Sequence, residues 1–243
     1  MHCRQHLCKT TSVASLLLSR LTPLVAPVRE RRPETAQAGG VFFKILMASS
    51  DSITDTAQST LRRAAKNARA GLSVEQRRQA SEKIASKIIA SDLFDGAQNI
   101  ACYIPLDTEV STWPIIRRAW DMKKRVFAPV TKKNFQMVFC EFTDTGGLEA
   151  NKWGLQEPKA GKRANLKQLD VVIAPVVAFD MNRNRIGMGG GFYDRAFSFL
   201  GDADDTIKPV LIGVAFDCQN VEKISPNPWD IRLFRIITES TDV

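Results

Sequence analysis

The residues best suited to chemistry lie in one stretch: Arg185-Ile186-Gly187-Met188-Gly189-Gly190-Gly191-Phe192-Tyr193-Asp194-Arg195. An apolar run before it, Val171 to Phe179, reads as a buried strand, and an amphipathic stretch after it, Ala196 to Leu200, reads as helix. Four glycines between a strand and a helix let backbone N–H groups approach an anion where a Cβ would block them. The positive end of the helix dipole adds to that attraction. Asp194, at the expected helix start, suits either capping or holding a divalent cation beside the anion. The stretch reads as a polyphosphate loop. It lacks the Gly-Lys-Ser/Thr ending of a Walker A loop, and it lies too late in the chain for a Rossmann fingerprint. A plain glycine turn is the alternative, but a turn has no need of Arg185, Tyr193, Asp194 and Arg195.

Composition narrows the chemistry further. The two histidines, His2 and His6, both fall in the first 46 residues, which removes Ser-His-Asp, Cys-His and His-metal mechanisms from the rest. Cys3, Cys8, Cys102, Cys140 and Cys218 form no Cys-x-x-Cys pair; Cys102 and Cys140 sit in strand-like runs and read as buried thiols. What remains is carboxylates, Tyr, Lys, Arg and bound ions. Glu109 has a positional claim, since it follows the strand-like run Asn99 to Pro105 in the loop Leu106-Asp107-Thr108-Glu109. Open α/β sheets bind ligands in such loops, at the C-terminal ends of parallel strands. Pro226-Asn227-Pro228 turns the chain so that Asp230 can return to the same face.

The glycine stretch, preceded by its apolar strand and Phe179-Asp180, resembles the 5-formyltetrahydrofolate cyclo-ligase (methenyltetrahydrofolate synthetase) family. Leu61-Arg62, Leu72-Ser73, Glu109-Val110-Ser111-Thr112, Trp153-Gly154, Gly213 to Asp217, Val221-Glu222-Lys223 and Trp229-Asp230-Ile231 fall in that family's order, so the resemblance spans about residues 55 to 240. It implies conversion of 5-formyltetrahydrofolate to 5,10-methenyltetrahydrofolate with ATP as co-substrate and Mg²⁺ as cofactor. On that resemblance, Arg62 and Arg185 to Tyr193 (Ile186, Gly187, Met188, Gly189, Gly190, Gly191 and Phe192 included) contact ATP. Ile104, Glu109, Trp153, Met188 and Phe192 contact the folate, Asp194 and Asp230 hold the metal, and Arg185 and Tyr193 assist the chemistry. This chain departs from the common pattern in two places: Gly190 and Gln58 stand where many members carry Lys. It also has Phe192-Tyr193-Asp194 where many have Tyr-Tyr-Asp. A folate- or nucleotide-binding protein of the same fold without efficient turnover is the second expectation.

The elements that must position these residues follow from periodicity. Apolar residues recur at helical spacing from Asp55 to Ser91, with Gly71 dividing two helices and Ser73 with Gln76 forming a capping box for the second. On the first helix Arg63, Lys66 and Arg69 read as a solvated basic face. A helix is expected from about Thr112 to Asp121, and strands at Arg125 to Val130, Gln136 to Phe142, Asp170 to Val177 and Pro209 to Phe216. Asp144 to Gly147 marks a turn, and Trp153 to Pro158 reads as a loop. Strands alternating with helices give an α/β layered fold, a mostly parallel central sheet flanked by helices, in a single domain over residues 47–243.

Residues 1–46 carry +5 of the chain's +8, which leaves the body about +3. This segment, with no acid before Glu30, reads as a disordered extension: either a transit peptide or sequence upstream of a natural start at Met47. The expected location is cytoplasmic, or mitochondrial if the extension is a transit peptide. Val13 to Leu18 is too short to span a bilayer, so no membrane association is expected. The body shows no stripe of cations interleaved with exposed aromatics, so no nucleic-acid partner is expected. A monomer or weak dimer is expected.

Overall fold

The computed structural model describes residues 56–201 and 209–243; the readings made for residues 1–46, including His2, His6, Cys3 and Cys8, lie outside them. Residues 56–70 form α1 and Val74–Ile89 form α2. Both halves of the expected capping box are present: Gln76 N donates to Ser73 Oγ at 3.1 Å, and Ser73 N to Gln76 Oε1 at 2.8 Å. A short α3 (Asp92–Gly96) leads into β1 (Asn99–Cys102), then α4 (Trp113–Asp121) into β2 (Arg125–Thr131) and β3 (Met137–Glu141). The small strands β4 (Leu148–Ala150) and β5 (Gln156–Pro158) form a hairpin, which places strand where the sequence suggested loop. β6 (Val171–Pro175), β7 (Ala178–Phe179), β8 (Arg185–Ile186), α5 (Phe192–Ala196), β9 (Val210–Val214) and β10 (Arg235–Ile237) complete the chain.

The main sheet has six strands in the order β10-β9-β6-β1-β2-β3, all parallel except β3, which pairs antiparallel with β2. One face packs on α2, α3 and α4 through Ile84, Ile88, Phe94, Ile115 and Ile116. The other face holds Phe127, Phe139, Phe179, Phe197 and Ile236. Burial on both faces explains why the central strands read as unbroken apolar runs. From β1 the chain goes outward to β2 and β3; from β6 it goes the other way, to β9 and β10. The order therefore reverses between β1 and β6, and the crevice beyond their C-terminal ends is where this topology accepts ligands.

Two expectations about the region around that crevice change. The run Val171 to Phe179 is not one strand. It leaves the main sheet after Pro175, and Ala178–Phe179 pairs antiparallel with Arg185–Ile186. The cause is Gln219, buried, whose Nε2 donates to the carbonyls of Val176 (2.7 Å) and Val177 (2.8 Å) and so takes the acceptors that a longer strand would use. The helix expected at Ala196 to Leu200 starts earlier, at Phe192, and gives way to a 3₁₀ turn at Ser198–Leu200. Gly191, at φ 57°, turns the chain into the helix at once, a conformation that costs a non-glycine residue. Asp194 thus lies within the first turn and is not a cap.

Asp180 fixes the β7–β8 turn. Fully buried, its Oδ1 accepts from the N–H of Asn182 and of Asn184, and its Oδ2 from Asn184 Nδ2 and the N–H of Ile224, all at 2.9–3.0 Å. Asp180→Ala would orphan four donors and should lower stability by about 3 kcal/mol or more in urea unfolding. Loss of under about 1 kcal/mol would show that water replaces the carboxylate there.

Candidate active site

The crevice is roofed by the glycine loop, which β8 delivers and α5 receives. Among the described residues, the N–H groups of Met188, Gly189, Gly190 and Gly191 donate to no protein acceptor. Four adjacent free donors are chemistry that suits an anion. Arg62, on α1, donates Nε to the carbonyl of Gly187 at 2.8 Å, and its two terminal nitrogens have no partner among the described residues. Arg62, expected from the resemblance to contact ATP, thus lies beside the glycine loop. The side chain of Ile186 is buried with Ala65 and Ile224, so only its backbone faces the loop. Met188 is exposed.

Arg185 and Asp194 are paired with each other. Arg185 Nη2 meets Asp194 Oδ1 at 2.6 Å, the guanidinium also donates to the carbonyl of Ile231, and the N–H of Ile231 donates to the same Asp194 oxygen at 3.1 Å. Arg185 is thereby largely withdrawn from a direct role on a ligand and made a strut between the loop and the C-terminal segment. Asp230 Oδ2 accepts from the backbone N–H of Asn227 at 2.8 Å and from its Nδ2 at 3.3 Å. Asp194 Oδ2 and Asp230 Oδ1 have no protein partner among the described residues. Two carboxylate oxygens, with phosphate and water supplying the rest, fit Mg²⁺. No group of three or more His, Cys, Asp or Glu suited to a metal occurs among the described residues, so a protein-only cage is not what this arrangement offers.

Tyr193 is packed edge-on to Phe139 (6.3 Å) and stacked on Phe197 (6.3 Å), and its hydroxyl is buried with no protein partner. Burial first, then the Glu109 charge, pushes the phenol well above its ordinary value, so it remains a neutral donor. A buried hydroxyl without a partner marks a place where a ligand oxygen or water belongs. On the crevice's other wall, Glu109 Oε2 accepts from the N–H of Leu106 at 3.1 Å, and Oε1 lies 3.7 Å from Arg69 Nη1. Ile104 is half-buried against the core beside it. Trp153 stands half-exposed at the mouth, edge-on to Phe192 at 6.2 Å.

A match to the family described as 5-formyltetrahydrofolate cyclo-ligase covers residues 54–239. The chain belongs to that family. The 5-formyltetrahydrofolate cyclo-ligase of Haemophilus influenzae is 33% identical over 173 residues, 70% of this chain and 90% of that one. The Escherichia coli K12 protein of the same name is 34% identical over 176 residues, 71% of this chain and 94% of its own. The solved structure of Aquifex aeolicus 5,10-methenyltetrahydrofolate synthetase superposes with a TM-score of 0.65 at 29% identity, covering 76% of this chain and 91% of that chain.

Within this cyclo-ligase chain, α1 carries more of the site than its sequence suggested. Arg69 is not on a solvated face. It is 5% exposed, with Nη2 donating to Thr108 Oγ1 at 3.2 Å and Nε unpartnered. Gln58, Arg62, Ala65 and Arg69 recur at spacings of four, three and four, which is one helical stripe, and that stripe faces the crevice. The spacing was the available signal; it was hidden because cations on a helix ordinarily face water. Gln58, at the family's Lys position, is buried and donates to the carbonyl of Ser225 at 3.0 Å, a tie between α1 and the C-terminal segment. Gly190 has its own reason for lacking a side chain: a Cβ there would meet the Phe192 ring at 2.7 Å.

Burial raises the pKa of Glu109 above its ordinary 4.5, against the opposing pull of the Leu106 N–H, Arg69 and Lys66. The folded protein then holds this proton more tightly than the unfolded chain. Its stabilising contribution is present below 4.5 and is lost as pH rises through the raised folded value. Melting temperature should therefore fall relative to Glu109→Gln as pH is raised from about 4 to about 7. Parallel pH profiles for the two proteins would refute the raised value.

Proposed function

We propose that this protein catalyses ATP-dependent ring closure of 5-formyltetrahydrofolate to 5,10-methenyltetrahydrofolate, releasing ADP and phosphate. The observation that carries the reading is the run of four free loop amides with Arg62 beside it, opposite the orphaned Tyr193 hydroxyl and the buried Glu109. The names of the Haemophilus and Escherichia relatives support the same reaction.

The amides of Met188 to Gly191 bind the ATP phosphates, and the terminal nitrogens of Arg62 offset charge on the γ-phosphoryl group. Mg²⁺, held by the free oxygens of Asp194 and Asp230, would supply charge neutralisation across the phosphates. The formyl oxygen attacks the γ-phosphorus and displaces ADP. N10 then attacks the activated carbon and loses its proton, and phosphate departs with the C–O bond to leave the methenyl bridge. Phosphoryl transfer of this kind needs positioning and charge stabilisation more than a protein nucleophile, which a body without histidine can supply. Tyr193, held neutral, donates a hydrogen bond to a reacting oxygen. Glu109 and Ile104 line the folate side, with Trp153, Phe192 and Met188 at the mouth. Arg185 acts through Asp194, whose free oxygen it aims.

The substrates are small and diffusible, and no helix among the described residues is long and apolar enough to cross a membrane. The location proposed is the cytoplasm, or the mitochondrion if residues 1–46 act as a transit peptide.

The test mixes the full chain with 5-formyltetrahydrofolate, Mg²⁺ and ATP, and follows methenyl product by its near-ultraviolet absorbance. Product should require ATP, Arg62→Ala should raise the KM for ATP about tenfold or more, and Asp194→Ala should abolish turnover. ATP binding without product would instead establish a nucleotide-binding protein of this fold without turnover.

A further inference from the structure

Arg195, the residue after the Phe192-Tyr193-Asp194 run, does something that the glycine-loop pattern alone does not require. Its guanidinium donates through Nη2 to the carbonyl of Gly190 and through Nε to the carbonyl of Phe135 at 3.2 Å. The same group lies over the Phe135 ring at 5.4 Å and over the Phe192 ring at 5.9 Å, and those rings are 6.0 Å apart. Phe135 sits at the tip of the β2–β3 hairpin. It and Asn134 both adopt left-handed backbone conformations, φ 56° and 57°, which side-chain-bearing residues rarely take. Two successive left-handed residues, closed by the Gln136 N–H on the Lys133 carbonyl at 3.4 Å, are the pattern of a type I′ hairpin turn, whose second position ordinarily falls to glycine and not to an aromatic residue. Arg195 donates to the Phe135 carbonyl that this turn presents.

A trans peptide unit is planar, with its C=O and the next N–H pointing in opposite directions. A donor held on the Gly190 carbonyl therefore fixes the Gly191 N–H to point the other way, away from Arg195. Arg62 does the same on the other side: its Nε on the Gly187 carbonyl turns the Met188 N–H away from itself. Between glycines, a peptide unit can rotate through half a turn with little steric resistance. Without pinned carbonyls this set of amides would be one arrangement among several, and binding would have to select it.

We propose that Arg195 is a positioning residue for nucleotide binding: with the β2–β3 hairpin tip as its anchor, it locks the Gly190–Gly191 peptide so that the Gly191 amide faces the phosphates. Arg62 and Arg195 then hold the two ends of the loop, and Arg195 acts through the peptide and not on ATP itself. The inference rests on the ATP-dependent reading of the site.

The experiment titrates ATP with Mg²⁺ into the full chain by calorimetry, for the wild type, Arg195→Met and Arg195→Lys, and repeats each titration with 5-formyltetrahydrofolate. Arg195→Met keeps the stem against Phe135 and Phe192 but has no donor, and should weaken ATP about tenfold. Arg195→Lys can reach one carbonyl but cannot fork to both, and should weaken it about threefold. Folate affinity should stay within about twofold in both, and melting temperature within about 2 °C, since Arg195 is exposed. ATP affinity in Arg195→Met within twofold of wild type overturns the proposal, as does an equal loss for ATP and folate, which would mark general damage. Wild-type ATP binding without turnover removes the cyclo-ligase reading and leaves this inference to be judged on affinity alone. No ATP binding by the wild type removes both.

Discussion

The site depends on the capture of two carbonyls. The apolar run from Val171 onward has the composition to continue as strand, and Gln219 stops it by taking the acceptors of Val176 and Val177. The chain must then leave the sheet, and the β7–β8 hairpin that follows carries the glycine loop across the point where strand order reverses. A buried side-chain amide is costly unless satisfied. Gln219 meets that condition with its Nε2 on two carbonyls and its Oε1 accepting the Phe216 N–H at 2.9 Å. One polar residue in an apolar layer converts a strand into a platform for a ligand.

The crevice is built from charges that are mostly answered by neighbours. Arg185 is held by Asp194, Asp194 by the Ile231 amide, and Asp230 by Asn227. Among the described residues, the groups left unanswered here include the loop amides, the ends of Arg62, one oxygen each of Asp194 and Asp230, the Tyr193 hydroxyl and Arg69 Nε. This distribution keeps a site of opposite charges from collapsing on itself. Arg62, Asp194, Asp230 and the Met188 and Gly191 amides have their orientation fixed by a bond behind them, and Tyr193 by the rings it packs on, which is the arrangement that preorganised sites require.

Much of the framework was legible in the sequence because it depends on local signals. The Ser73–Gln76 box, the β-branched runs of the central strands, and Gly71 between α1 and α2 each act within a few residues. The glycine loop stood out in the sequence because its glycines are set among Arg, Tyr and Asp, which a plain turn does not need. The break after Pro175 was not, because Val176 to Phe179 stay apolar and buried in a different sheet, and hydrophobicity does not say which. Arg69 was missed for the converse reason: its burial is conferred by Glu109 and Thr108, about forty positions away in sequence. The early start of α5 depends on one left-handed glycine, and five residues are too few to show a helical period.

The Phe192 ring occupies the volume that a side chain at position 190 would enter. The two positions are therefore sterically linked in this chain. A variant that gained a long cation at 190 would have to move the aromatic ring at 192, and with it the edge contact to Trp153 and the surface under Arg195. The glycine at 190 thus leaves room for its neighbour's ring, and a side chain there comes with a displacement of that ring.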